Sequence, residues 1–89
     1  MAKTELIKKA IATKFQERGD SFDLFCKDGR RLYINPTADG EGYFVTLEKP
    51  AGQYWDSDYQ AFRTTFKIEA QARCLTKEAV GEYIAKVFS

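Results

Sequence analysis

With no histidine among its 89 residues, this chain would have to run any acid–base, nucleophilic or metal chemistry on carboxylates and thiols. Histidine changes charge near neutral pH and is the commonest metal ligand. Its absence removes Ser-His-Asp and Cys-His nucleophile systems, two-histidine zinc sites and the 2-His-1-carboxylate iron site. Thirteen acids leave catalysis by a carboxylate pair formally open, but no spacing singles out a pair. Asp56-Ser57-Asp58 offers two hard-cation ligands without the spaced oxygen set of a calcium loop, and reads as a solvated turn or cap. Asp39-Gly40-Glu41-Gly42 lacks the strand–loop–helix setting of a phosphate-binding loop. Cys26 and Cys74 form no CxxC pattern and have no recognisable base, so they read as buried, unlinked core thiols. These residue types predict a protein that is not an enzyme and holds no metal or cofactor.

What the chain does have is contact-forming side chains. Ten of its thirteen aromatics fall between Phe22 and Phe66. Two groups of them could bind a macromolecule. The first lies in a predicted loop from Lys49 to Asp58, where Tyr54, Trp55, Asp56, Asp58 and Tyr59 combine large aromatics with negative charge. Trp and Tyr are enriched at binding hot spots, and acidic neighbours are unsuited to a phosphate backbone. The competing reading is that Trp55 folds back to plug the end of the core. The second group is the polar face of a predicted sheet, where Phe25, Tyr33 and Phe44 stand among Arg31, Arg63 and Lys67. Phe25 opposite Arg31 suggests a cation–π pair. Such a face suits stacking of single-stranded nucleic acid, cross-strand packing, or a homodimer contact.

Positioning these groups requires a fold. Ile7, Ala10, Ile11 and Phe15 recur at helical spacing, with Leu6 widening the stripe, Thr4 as N-cap and Gly19 past the end. This predicts a helix over Glu5–Arg18. From Phe22 the period becomes two, giving one strand through Phe22, Leu24 and Cys26 and another through Leu32 and Ile34. Register selects a three-residue turn, Lys27-Asp28-Gly29, with Gly29 left-handed. It sets Cys26 against Arg30, Leu24 against Leu32 and Phe22 against Ile34, whereas a two-residue turn would mix the faces. After a turn-rich stretch ending at Gly42, a third strand covers Tyr43–Lys49. The segment from Phe62 to Cys74 carries both a four-residue and a two-residue period. The alternation is the more consistent, so a long strand is predicted, with Phe66 and Ile68 facing the core and Lys67 and Glu69 exposed. Thr76 then caps a last helix carrying Val80, Ile84, Val87 and Phe88, and Gly81 beside that stripe suggests close approach to another backbone.

The order α-β-β-β-β-α in a chain of this length predicts one α+β domain. It is a two-layer sandwich of a mostly antiparallel four-stranded sheet with both helices on one face. No apolar run reaches ~18 residues, and the segment from Met1 to Glu5 leads into a charged amphipathic stretch. A cytoplasmic protein with reduced thiols follows as the expectation. The net charge of +1 argues against a general polyanion binder, and residues 32–58 carry one lysine against five acids. The predicted function is binding and modulation of a protein partner, as an inhibitor or accessory subunit. Single-stranded nucleic-acid binding on the sheet face is the alternative.

Overall fold

In the computed structural model, which describes residues 3–88, the period-two alternation after Phe22 becomes an antiparallel hairpin. Its strands are β1 (Phe22–Phe25) and β2 (Arg31–Pro36). Phe22 pairs with Ile34 and Leu24 with Leu32, as the face argument requires. Cys26 N–H donates to the Arg30 carbonyl at 2.7 Å, and Gly29, at φ 90°, donates to the Cys26 carbonyl at 3.0 Å. The three-residue turn is therefore present, because only it keeps all apolar members of both strands on one side.

The remaining elements are α1 (Lys3–Arg18), β3 (Tyr43–Asp56), β4 (Ala61–Cys74) and α2 (Lys77–Val87). The four strands lie side by side in the order β1-β2-β3-β4, every neighbour antiparallel. The chain is thus an α+β fold. Ile34, Val45 and Leu47 from the sheet are 0–1% exposed. Ile11 and Phe15 of α1 and Val80 and Ile84 of α2 join them in one core cluster. Burying each such side chain is worth about 1.5–3 kcal/mol, which makes these positions the main source of stability. Phe15 meets Phe22 and Tyr43 edge-on at 5.0 and 5.2 Å.

Thr76 caps α2, its hydroxyl accepting from Ala79 N–H at 3.0 Å. Gly81 is buried where α2 crosses α1, and a Cβ added there would lie 3.6 Å from Lys8 Cα. The connection from β2 to β3 is tied by Thr37. Its N–H donates to the Gly42 carbonyl at 2.9 Å, and its hydroxyl accepts from Gly42 N–H at 3.2 Å and donates to Asp39. Asp39 in turn accepts from Glu41 N–H at 3.0 Å and from Arg73 at 2.9 Å, fastening the loop to β4. Gly42 itself passes so close to β4 that a Cβ would stand 2.5 Å from the Cys74 carbonyl.

Several sequence expectations are corrected. Thr4 lies inside α1 and does not cap it, because the helix already includes Lys3. Leu6 is 53% exposed and Ala10 is exposed, so the buried stripe narrows to Ile11 and Phe15 with Ile7 at its edge. Cys74 is buried but Cys26 only half so, and the two are unlinked. Burial raises the pKa of both thiols, with Asp28 adding to the effect at Cys26. Met1 and Ala2, the start of the Met1–Glu5 segment, lie outside the described residues.

The largest correction concerns the expected loop Lys49–Asp58, of which only Ser57 and Asp58 lie in a turn. β3 runs on to Asp56 and pairs with β4 as far as Asp56↔Ala61, well past the last β2 partner at Glu48. Two register shifts make this work. The second, between Pro50 and Gly52, absorbs a proline that otherwise interrupts a strand. The first, between Leu47 and Glu48, puts an extra residue, Glu69, into β4, so Leu47 pairs with Ala70 but Glu48 pairs with Ile68. Beyond this bulge the faces of β4 exchange. Ile68 is 57% exposed and Phe66 sits beneath Arg31 on the side away from the core, contrary to the unbroken alternation. Ala70, Ala72 and Cys74 take the inward positions, and past Ala70 no core remains for a larger residue to fill.

Candidate protein-binding surface

Beyond Glu48 and Ile68 the sheet narrows to two strands, a ribbon that projects from the domain. Between Pro50 and Thr65 every residue is exposed except Asp56. The ribbon enlarges the molecule: the radius of gyration is 14.7 Å, where a compact chain of this length would show about 12 Å.

Asp56 builds the tip. Its Oδ1 accepts from the backbone N–H groups of Asp58 and Tyr59 at 3.0 and 3.4 Å, and its Oδ2 from Arg63 at 3.4 Å. The four residues between the strands close with Gln60 at φ 51°, the left-handed residue that ends such a turn. Asp56 and Asp58 are thus joined through the turn, with both Asp56 oxygens accepting hydrogen bonds. Among the described residues no three Cys, Asp or Glu side chains cluster as a metal site.

Strand alternation separates the five residues predicted as a site. Trp55 pairs with Phe62, their rings meeting edge-on at 5.2 Å, with Trp55 55% and Phe62 69% exposed. Trp55 therefore does not plug the core. Tyr54 pairs with Arg63 in the next register position, so both point to the opposite side of the ribbon. There Arg63 lies 4.9 Å from the Tyr59 ring. One side of the ribbon is apolar, with Trp55, Phe62, Phe66 and Ile68. The other joins Tyr54, Tyr59, Arg63 and Asp56. Sequence reasoning misses Phe62, Phe66 and Ile68 as contact residues, because unbroken alternation turns them inward. The bulge that turns them outward has one sequence trace, the run of small residues Ala70, Ala72 and Cys74 next to the large Ile68 and Phe66.

The sheet-face group is also divided. Phe25 is 76% and Phe44 44% exposed, and Tyr33 is half-buried. Arg31 pairs in register with Phe25, yet its guanidinium turns to Glu48 at 3.1 Å and lies 3.6 Å over Phe66 and 5.3 Å over Tyr33. Gln71 donates to Thr46 at 3.1 Å on the same face. Arg63 and Lys67, expected here, fall on the other side because the bulge exchanges the faces of β4. Arg31, Arg63 and Arg73 each have a carboxylate partner, in Glu48, Asp56 and Asp39.

A separate apolar groove of about 300 Å³ opens between the two helices and the β1–β2 hairpin, lined by Ile7, Leu24, Cys26, Leu32, Ile84 and Phe88. Among the described residues no helix is long and apolar enough to cross a membrane. Searches of family models, curated proteins and solved structures find no match to this chain.

Proposed function

We propose that this chain is a non-catalytic binding protein that presents the β3–β4 ribbon to a protein partner and modulates it, as an inhibitor or accessory subunit. The observation that carries this reading is the Trp55–Phe62 pair, packed edge-on and exposed on a ribbon with no core beneath it. A two-stranded ribbon is at best marginally stable in water, and exposing two large aromatics on it costs solubility. Both features make sense when a partner covers them, because buried aromatic anchors supply most of the energy of a protein contact. The partner surface that fits is a groove or pocket accepting a flat aromatic, with polar groups at its rim for Asp58 and Arg63. The carboxylate partners of Arg31, Arg63 and Arg73 favour a protein over a nucleic-acid backbone, since phosphate binding needs cations with charge to spare. The two unlinked thiols fit the reducing cytoplasm.

The test uses the single tryptophan. Free protein should show the red-shifted emission of an exposed indole, moving to shorter wavelength only when partner is present. Trp55→Ala and Phe62→Ala should each weaken capture of the partner from native-cell extract by at least ~2 kcal/mol, with folding stability changed by no more than ~0.5 kcal/mol. Capture that vanishes with moderate salt, or recovers nucleic acid, would overturn the protein reading in favour of phosphate-driven binding.

A further inference from the structure

β4 is the outermost strand of the sheet. All of its fourteen residues but the bulged Glu69 pair with β3 on one side, and none pairs with another strand among the described residues on the other. The opposite edge, β1, is only four residues long, which is a usual way of blunting an edge. β4 contains neither proline nor glycine, and its central stretch, Arg63-Thr64-Thr65-Phe66-Lys67-Ile68-Glu69, is rich in β-branched and aromatic residues. A long edge of this composition is a template for another strand.

We infer that the partner of this edge is β4 of a second copy, paired antiparallel across a two-fold axis at Phe66, so that two sheets join into one of eight strands. Three constraints lead there. Directly opposed residues in a joined sheet must point to the same side, so the axis falls on a residue and not between two. An axis at Thr65 would set Arg63 against Lys67 twice, and one at Lys67 would oppose that lysine to itself; like charges directly opposite destabilise. An axis at Phe66 sets Arg63 against Glu69 twice, Thr64 against Ile68 and Thr65 against Lys67. It opposes charges where the neighbouring registers oppose like ones, and an axis at Thr64 makes no ion pair. An axis at Ile68 would run the pairing through the bulge at Glu69, where the ladder is disrupted. With the axis at Phe66, the pairing ends at that bulge.

Existing contacts do not stand in the way. Arg63 meets Asp56 at 3.4 Å and Glu69 meets Arg30 at 3.6 Å, both long for charge-assisted contacts, and in the dimer Arg63 and Glu69 exchange these partners for each other. Asp56 keeps its backbone donors from Asp58 and Tyr59, and Arg30 keeps Asp28 at 2.7 Å, so neither is left without a partner. The dimer also places the two Phe66 rings side by side and extends the ribbon on both sides of the axis. It uses the backbone edge of β4 and not the Trp55 side chain, and shares only Arg63 and Phe66 with the surface proposed for the protein partner.

Charge exchange tests the register. Sedimentation or native mass spectrometry over a concentration series should show a monomer–dimer equilibrium. Arg63→Glu and Glu69→Arg should each weaken it by about tenfold or more, since two ion pairs become two like-charge pairs. The double variant Arg63→Glu with Glu69→Arg should restore the wild-type constant, and Trp55→Ala should leave it unchanged. In a chain whose native cysteines are replaced by serine, Phe66→Cys should form an intermolecular disulfide on mild oxidation, and Thr64→Cys should not. A monomer at every concentration overturns the proposal. So does a dimer in which the double variant stays as weak as the single ones, or in which Thr64→Cys cross-links and Phe66→Cys does not.

Discussion

Asp39 shows how one residue ties sequence-local turn chemistry to the tertiary fold. Thr37 and the Glu41 N–H donate to it, and Arg73 reaches it from β4. These donors, Thr37 foremost, hold its carboxyl below the ordinary carboxylate range. Asp28 is lowered in the same way by the Arg30 backbone and side chain in the β1–β2 turn. A carboxyl with a depressed folded pKa binds its proton less readily folded than unfolded. The stability it contributes is therefore present above the unfolded pKa of about 3.9 and lost as pH falls through the folded value. Thermal melts should show the midpoint falling as pH drops below about 4. Asp39→Asn should lower the midpoint at neutral pH and flatten the acid limb. An unchanged acid limb in that variant would mean that Asp39 is not held in this network.

At the scale of elements, the helix crossing and the bulge decide what each strand and helix can show. The place of Gly81 beside the apolar stripe suggests close approach, and α1 does pass there. The 3.6 Å between Lys8 Cα and the position an added Cβ would take is ordinary van der Waals contact and not a clash. Gly81→Ala should thus raise stability by up to ~1 kcal/mol through helix propensity, measurable by urea unfolding. The bulge acts in the opposite sense to intuition. Ile68 sits in a strand whose alternation, read without interruption, would bury it. One inserted residue leaves it 57% exposed, so Ile68→Ala should change stability by no more than ~0.5 kcal/mol. A loss of several kcal/mol in the same unfolding experiment would place Ile68 in a core.

For the molecule as a whole, the core and the ribbon are separable. The buried cluster draws on α1, α2, the inner faces of β1 to β3 and the Ala70–Cys74 end of β4, and no ribbon residue belongs to it. Replacing residues 51–65 by an Asn-Gly turn should therefore leave a cooperatively folded domain with its Arg31–Phe66 contact intact. Its melting temperature should lie within a few degrees of wild type (about one kcal/mol for a domain of this size), while partner binding disappears. Loss of cooperative unfolding would show instead that the ribbon is part of the folding unit.

The sequence alone determined the α-β-β-β-β-α order, the β1–β2 register, the Thr76 cap and the inward residues of β2 and of β3 up to Leu47. Each rests on local periodicity or on turn geometry spanning a few residues, and such constraints are readable along a chain. The sequence also marked Tyr54 and Trp55 as unusual, but could not say whether Trp55 was a plug or a contact. Tertiary structure decided that, because a side chain's burial depends on whether another layer lies over it. The helices cover β4 only as far as Ala70, and beyond that limit the same apolar–polar alternation that elsewhere builds a core instead coats a projecting ribbon. Where Lys49–Asp56 became strand, the deciding partner was Ala61–Lys67 lying antiparallel to it. No local signal outweighed Pro50 and Gly52 until that pairing supplied the hydrogen bonds and the bulge absorbed the misfit.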